Sequence, residues 1–153
     1  MHPTANTTAQ GVDVISVRQA TGDDVEALCS LDLVARSEVG RREFIEGSVA
    51  DGTCRVAVVG GEVVGYAVLS YTFYRQGFVE MLYVRDVHRR RGAGTALLRE
   101  LEGLCRTAKL FTSTNLSNLP MQALLKRLGY EPSGVIHNLD EGDPEIVYFK
   151  QLR

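Results

Sequence analysis

The 153-residue sequence predicts an α+β fold, a mixed and mostly antiparallel sheet with one parallel strand pair and flanking helices. Alternating apolar runs with tight turns fill the middle of the chain, and two stretches with an apolar period near 3.6 residues follow. A strand, a helix and a further strand in succession require a crossover, which makes those two strands parallel. We expect residues 13–153 to form a single domain and residues 1–12, which lack any period, to form a flexible N-terminal tail.

The first half of the chain is predicted to form a strand, two helices and a hairpin. Thr21 or Asp23 can cap the first helix, because short polar side chains accept hydrogen bonds from free N–H groups there. Gly60-Gly61 separates two alternating runs, as is typical of a tight hairpin turn. The predicted elements are a strand at residues 14–18, helices around 25–31 and at 39–49, and strands at 55–59 and 62–69.

The second half contains the predicted crossover. A strand at residues 78–84 ends in a basic turn, and an apolar stripe follows that begins at Leu97 and ends near Cys105. The strand after this helix, at residues 109–114, is the predicted parallel neighbour. The remaining predicted elements are a helix at 116–128 and a closing hairpin of strands at 134–139 and 146–152.

Composition narrows the class of protein. Seventeen Lys and Arg against nineteen Asp and Glu give a net charge of −2, which argues against a nucleic-acid partner. No apolar run reaches the roughly 18–20 residues of a membrane helix, and the start is unlike a signal peptide. Cys29, Cys54 and Cys105 show no metal or disulfide spacing, so we expect three buried thiols. These features predict a soluble cytoplasmic protein with no membrane partner.

Residues 82–95 carry the clearest chemical signal. The strand end Leu82-Tyr83-Val84 is followed by Arg89-Arg90-Arg91 and then by Gly92-Ala93-Gly94-Thr95 at a helix start. Glycine lets the backbone approach a ligand, and the first N–H groups of a helix form an anion site. We therefore expect the backbone from Arg90 to Thr95 to hold a phosphate or pyrophosphate, although an arginine run is also typical of a solvated turn or a nucleic-acid patch.

Two common nucleotide motifs are excluded here. No Lys-Ser/Thr pair completes a P-loop, and Leu97 stands where a dinucleotide fingerprint has its third glycine. The order Arg89-x-x-Gly92-x-Gly94, after a strand that ends Leu82-x-Val84, resembles the phosphate-binding signature of the GNAT superfamily. Members of that superfamily are acyltransferases that use acetyl-coenzyme A.

A second block supports the resemblance. The segment from Asn118 to Gly129-Tyr130 is similar to a later helix of the family, which begins near an asparagine and ends in Gly-Phe or Gly-Tyr. With the meander and the crossover, the resemblance covers about residues 14–153. It implies the acyl-CoA N-acyltransferase fold and acetyl-CoA as co-substrate. His88 and His137 have no partners at a metal-binding spacing, so we expect neither to be a metal ligand and expect no metal cofactor.

The resemblance also implies roles for strand and helix residues. The strand that ends at Val84 is expected to splay from its parallel neighbour, which leaves backbone groups of Leu82 and Val84 for the pantetheine arm. An amide near Leu82 could then stabilise an oxyanion, although ordinary strand pairing is the alternative. Asn118, and more weakly Asn115, would contact the cofactor or simply cap a helix.

Glu80 is the candidate general base. Strict alternation places Glu80 on one apolar face with Leu82 and places Val79 on the other, and such a site would raise the carboxyl pKa. The resemblance implies a base at this position. The alternative is a structural carboxylate paired with Arg55 or Arg75.

The sequence does not identify the general acid that would protonate the departing thiolate. Family members often carry a tyrosine four residues before the terminal glycine of the later helix, where this chain has Leu125. Tyr83, Tyr130 or a water could take its place, or the thiolate could leave unaided. The acidic turn at residues 140–145 would attract a cationic amine or serve only as a solvated turn.

The sequence therefore predicts an N-acetyltransferase that moves an acetyl group from acetyl-CoA to a primary amine by direct attack in a ternary complex. The acceptor is a small-molecule amine or a protein amino group. The alternative is a non-catalytic module that binds acyl-CoA, for which Leu125 argues and Glu80 argues against. A nucleic-acid protein acting through Arg89–Arg91 is opposed by the net charge and by the lack of aromatic residues in that run. An exposed edge of the closing hairpin could support a homodimer.

Overall fold

A computed structural model describes residues 14–153 and shows a seven-stranded sheet in the order β1-β2-β3-β4-β5-β7-β6. Every neighbouring pair is antiparallel except β4 and β5, which are parallel and joined through a helix. The predicted tail lies outside the described residues. The strands are β1 (Ile15–Gln19), β2 (Cys54–Val59), β3 (Glu62–Phe73), β4 (Gln76–Val84), β5 (Lys109–Asn115), β6 (Glu131–Ile136) and β7 (Glu145–Gln151). The helices are α1 (Val25–Leu31), α2 (Val39–Ala50), α3 (Ala93–Leu104) and α4 (Leu119–Arg127), and a 3₁₀ turn at Gly22–Asp24 precedes α1.

The fold class is confirmed. The largest boundary difference is at the end of β3, which reaches Phe73 rather than residue 69, and smaller differences lie near the C-terminus. Helix α4 begins at Leu119 rather than at residue 116, because the Asn118 side chain accepts a hydrogen bond from the Met121 N–H at 3.2 Å and ends the preceding turn. Strand β6 begins at Glu131 rather than at residue 134. Its residues are all exposed, so it has no buried stripe by which a strand pattern could be recognised.

Two apolar clusters cover the two faces of the sheet. In the first, which we call the α3 cluster, Leu97, Leu98 and Leu101 of α3 pack with Leu125 of α4. In the second, the α1–α2 cluster, helices α1 and α2 pack with Tyr66. Neighbouring strand residues alternate between the clusters, as expected for a sheet that is buried on both sides. Within residues 14–153, no helix combines the length and the apolar character needed to cross a lipid bilayer.

All three cysteines are free thiols. Cys54 and Cys105 are buried as expected, and burial raises the pKa of Cys54 to about 11. Cys29 differs from the prediction, because it is only half-buried at the edge of the α1–α2 cluster.

A β-bulge in β4 overturns the predicted alternation around Glu80. Val68 pairs with Met81 and Leu69 pairs with Val79, so Glu80 is an extra residue without a partner on β3. Val79 consequently packs in the same cluster as Leu82, under α3, rather than on the opposite face. The prediction that Val79 and Leu82 face opposite sides is wrong because strict alternation fails at an inserted residue.

Strands β4 and β5 pair only briefly before they part. Their parallel register covers three pairs, from Gly77 with Leu110 to Val79 with Thr112. At the end of this register, the buried Thr112 hydroxyl donates to the Val79 carbonyl at 3.1 Å. Beyond it β4 continues along β3 as far as Val84, so the two parallel strands enclose an opening in the sheet.

The connection between α1 and α2 is fixed by a buried carboxylate. Asp32 is fully buried and accepts hydrogen bonds from the Tyr66 hydroxyl at 2.5 Å and from Arg41 at 2.8 Å. The pKa of Tyr66 lies well above its usual value. Burial is the larger cause, and the hydrogen bond to Asp32 is the second. The connection in turn meets β4, because the Leu33 N–H donates to the Tyr83 hydroxyl at 3.1 Å.

Candidate functional site

The start of α3 is built as an open anion site. Gly92 is the N-cap residue and has a φ of 94°, a left-handed conformation that glycine adopts without strain. The Ala96 N–H donates to the Gly92 carbonyl at 2.9 Å, which closes the first helical turn. The N–H groups that precede Ala96 have no acceptor within the helix, and they carry the positive end of its dipole.

A cleft of about 810 Å³ opens at this helix start, between the end of β4 and helix α4. The predicted site residues that line it are Leu82, Tyr83, Val84, Arg89, Arg90, Gly92, Gly94, Thr95 and Asn118. A methyl group at Gly94 would lie 3.1 Å from Leu124, so glycine keeps the cleft wall at its present width. The residues brought together here come from two distant parts of the chain, as the two sequence motifs predict.

Two other predicted residues do not present side chains to the cleft. Ala93 is 2% exposed and packs in the α3 cluster, so only its backbone N–H can meet a ligand. Arg91 is exposed and lies outside the lining.

Several residues of the cleft were missed by sequence reasoning. His88 lines it and has a buried Nδ1 without a hydrogen-bond partner among the described residues, although no motif in the sequence marks it as a site residue. Helix α4 contributes Met121, Leu124 and Arg127. The spacing of Met121 and Leu124 marked them as an apolar stripe, but that spacing cannot distinguish a core face from a cleft wall.

Arg89 braces the turn. Its Nε donates to the Val84 carbonyl at 3.0 Å, and its guanidinium pairs with Asp86 at 2.7 Å. The same guanidinium lies 5.7 Å from the centre of the Tyr83 ring. Arg89 thus ties the turn to the end of β4, while Arg90 offers a positive side chain to the cleft.

The register of β4 shows which backbone groups face the opening. Val84 lies opposite Gly65, and the Arg85 N–H donates to the Val64 carbonyl at 2.8 Å. This is the pattern of a pair that is not hydrogen-bonded, so the N–H and C=O groups of Val84 and of Leu82 point away from β3. Tyr83, opposite Tyr66, has the other orientation, so its backbone N–H and C=O groups face β3 rather than the opening.

Glu80 lies outside the cleft lining but beside the opening. Its side chain is exposed, and Oε1 accepts hydrogen bonds from Ser70 at 2.7 Å and from Thr72 at 3.1 Å. The expected apolar surroundings are therefore wrong, because the bulge carries the carboxylate to a polar edge of β3. The proposed pairing with Arg55 is also wrong, since Arg55 donates to the Gly52 carbonyl at 3.0 Å.

The acidic turn at 140–145 is partly structural. Asp143 accepts hydrogen bonds from the Ser117 N–H at 2.9 Å and from its hydroxyl at 2.6 Å. Asp140 accepts one from the Asn115 side chain at 2.8 Å. These bonds fix the loop before α4, so Asn115 is an anchor of that loop, whereas Asn118 both caps α4 and lines the cleft.

The tyrosines differ in their access to the cleft. Leu125, at the position of the family's tyrosine, is fully buried in the core. Tyr130 is 3% exposed, its hydroxyl has no hydrogen-bond partner among residues 14–153, and burial raises its pKa well above the usual value. Tyr83 is the member of this set that lines the cleft. Within the described part of the chain, no cluster of His, Cys, Asp or Glu could hold a metal ion.

Comparisons with known proteins agree with this geometry. The profile of the acetyltransferase (GNAT) family matches residues 25–130. A GNAT acetyltransferase from Bacillus cereus ATCC 10987 is 31% identical, with a TM-score of 0.85 over 90% of this chain and 97% of that one. The comparison with curated proteins found no match.

Two more distant structures share the fold. The ribosomal-protein-S18-alanine N-acetyltransferase from Escherichia coli is 17% identical, with a TM-score of 0.75 over 91% of this chain and 94% of that one. A Bacillus anthracis protein described as a streptothricin acetyltransferase, solved in complex with acetyl coenzyme A, is 11% identical, with a TM-score of 0.75 over 90% and 98%. From the family profile and the Bacillus cereus relative, we conclude that the chain belongs to the GNAT family and is an acetyltransferase.

Proposed function

We propose that the chain transfers an acetyl group from acetyl-CoA to a primary amine by direct attack within a ternary complex. The observation that carries this proposal is the continuity of the cleft. It runs from the open helix start at Gly92 to the backbone of Leu82 and Val84, where β4 and β5 part beside Glu80. Phosphates suit the first end, and a thioester carbonyl suits the second.

The residues of the cleft fit the co-substrate. Backbone N–H groups of residues 92–95 would hold its pyrophosphate, with Arg90 and Arg127 adding positive charge. The unpartnered Nδ1 of His88 is a further polar group that a ligand could satisfy. Acetyl-CoA would supply the acetyl thioester, whose C–S bond breaks as a C–N bond forms to the amine.

Three groups of the chain would assist this exchange. The Glu80 carboxylate accepts a proton from the amine, directly or through water, so that the nitrogen can attack. The Leu82 N–H, which points into the opening, donates to the carbonyl oxygen as negative charge develops there. A thiol with an ordinary pKa of about 8.5 leaves readily as thiolate near neutral pH. The transfer therefore does not require the tyrosine that other family members have at the position of Leu125.

The related proteins favour an amine acceptor of either size. One acts on an alanine of a ribosomal protein and another is described as acting on streptothricin, so both protein and small-molecule amines occur on this fold. Three free thiols suit a reducing compartment, which supports the proposal that the protein is cytoplasmic. The rival proposal of a non-catalytic acyl-CoA-binding module predicts binding without release of thiol.

Calorimetric titration with acetyl-CoA tests the binding site. We expect micromolar affinity for the wild type and a loss of about 100-fold in Gly92→Glu, because a side chain and a negative charge would occupy the anion site. Gly60→Glu is the matched control. Gly60 also has a positive φ, of 56°, and its Cβ position is open, so this variant carries the same charge and backbone strain at a distant hairpin.

Two outcomes would contradict the proposal. Absence of binding by the wild type would remove acetyl-CoA as the ligand of this cleft. Equal loss of affinity in Gly92→Glu and Gly60→Glu would mean that the substitutions act through folding, and it would leave the phosphate site without support. Circular dichroism of both variants accompanies the titration.

A further inference from the structure

Four of the five phenylalanines of the chain form a continuous row of rings. Phe73 lies 4.9 Å from Phe78 and 5.3 Å from Phe111, and Phe111 lies 5.8 Å from Phe149. All four rings are half-buried, and neither of the two apolar clusters includes them. We call Phe73, Phe78, Phe111 and Phe149 the phenylalanine row.

The row lies on the face of the sheet opposite α3. Three of its members, Phe78, Phe111 and Phe149, each adjoin a residue that packs in the α3 cluster, namely Val79, Leu110 and Tyr148. Phe73, at the end of β3, contacts the rings of Phe78 and Phe111. Because successive strand residues point to opposite faces, Phe78, Phe111 and Phe149 point away from α3. Helices α1 and α2 cover this face at β2, β3 and the end of β4, where Met81 and Tyr83 pack against them, and their cluster does not include the row.

The row begins where β4 and β5 part. Phe78 pairs with Phe111 in the second of the three parallel pairs, and the strands diverge after the next pair. The row therefore borders the opening through which an acetyl group held on the α3 side can meet a molecule on the other face. An apolar row in this position is adjacent to the reaction rather than remote from it.

A carboxylate stands at the same end of the row. Ser70 lies opposite Phe78 on the neighbouring strand, and its hydroxyl donates to Glu80 at 2.7 Å. Thr72 holds the same carboxylate oxygen at 3.1 Å. Glu80 lies two positions after Phe78 on β4, about 7 Å along an extended strand, so negative charge and aromatic surface lie within the reach of one small molecule.

We propose that the acceptor is a small primary amine whose nitrogen is joined by a short linker to an aromatic ring. This inference rests on the proposed acetyl transfer. The ring packs on the phenylalanine row with the offset or edge-on contacts that aromatic groups prefer, and the ammonium group lies against Glu80. A purely polar amine would satisfy Glu80 but would leave the row in contact with water.

Rates of thiol release with phenethylamine and ethylamine test this acceptor class. The two amines share the reacting group and differ by the ring, so we expect kcat/KM to be at least about tenfold higher for phenethylamine. In Phe111→Leu, the ratio of kcat/KM for phenethylamine to that for ethylamine should fall about tenfold. The rate with ethylamine and the affinity for acetyl-CoA should stay unchanged. Phe44→Leu is the matched control, since it removes the fifth phenylalanine from the α1–α2 cluster.

The outcomes separate this inference from the function beneath it. Acetylation of both amines with equal kcat/KM, while acetyl-CoA binds normally, would overturn the aromatic acceptor and retain the acetyltransferase mechanism. Absence of acetyl-CoA binding would overturn both. A concentration-dependent dimer that Phe111→Leu dissociates in sedimentation would assign the row to a second copy of the chain, and it would also overturn the inference.

Discussion

The carboxylate of Glu80 reaches the edge of the sheet opening because one extra residue is inserted into β4. A bulge of this kind re-aims a side chain and shifts the alternation of the residues on either side of it. Here the hydroxyls of Ser70 and Thr72 hold the carboxylate in its new direction. An exposed, hydrogen-bonded carboxylate can receive a proton from an arriving amine and can then exchange it with water.

Glu80→Gln should lower kcat by about 100-fold at neutral pH and should leave acetyl-CoA affinity unchanged, because the amide accepts no proton. The rate of the variant should rise about tenfold per pH unit between about pH 7 and about pH 9, as more of the amine becomes unprotonated below its pKa of about 10. Initial rates of thiol release across this range provide the measurement.

Glu62→Gln is the matched control for this loss. Glu62 is an exposed carboxylate at the start of β3 that pairs with Arg85. We expect its substitution to leave both kcat and the pH profile unchanged. Wild-type rates in Glu80→Gln at neutral pH would instead assign Glu80 a structural role.

At the scale of elements, the connection between α1 and α2 depends on Asp32. This buried carboxylate bridges the end of α1, Arg41 of α2 and Tyr66 of β3. The connection is also linked to the cleft, since Leu33 bonds to Tyr83, whose ring stacks near Tyr66 with centres 6.2 Å apart. Through these contacts, the loop beside the opening and the end of β4 hold one another in place.

Asp32→Ala should therefore lower the free energy of unfolding by about 3 kcal/mol, because it leaves Arg41 and the Tyr66 hydroxyl without their buried partner. Glu62→Ala breaks the exposed pair with Arg85 and should cost less than about 1 kcal/mol. Urea unfolding of both variants measures the difference. Equal midpoints would show that the buried network contributes no more than a surface ion pair.

The sequence was most informative where one face of an element is buried. The leucine stripe of α3 and the glycine turn between β2 and β3 predicted those elements within a few residues. The prediction misplaced the start of β6 because both faces of this strand are exposed. It misplaced the start of α4 because two contacts fix the turn before that helix: Asp143, distant in sequence, binds the Ser117 N–H, and Asn118 caps the helix.

The candidate site was predictable to the extent that it is local. The anion site at Gly92 follows from residue order alone, because a glycine and a helix start are adjacent in the chain. The bulge at Glu80, the cleft wall formed by Leu124 and the phenylalanine row depend on contacts between separate elements. Apolar periodicity is the same for a residue that faces the core, a cleft or an acceptor.

At the scale of the whole molecule, the proposed site depends on the one parallel strand pair of the sheet, β4 and β5. Helix α3 joins β4 to β5, so its open N-terminus lies at the end of the cleft on one face. Strands β4 and β5 part after three pairs, and Glu80 lies beside the opening that this leaves in the sheet. The proposed transfer requires the acetyl group and the amine to meet at this opening.

A crystal structure of the protein with acetyl-CoA tests this account most directly. We expect the pyrophosphate on the backbone N–H groups of residues 92–95 and the thioester carbonyl at the Leu82 N–H, with the acetyl group in the opening between β4 and β5 beside Glu80. A pyrophosphate bound away from the start of α3, or an acetyl group directed away from Glu80, would contradict it.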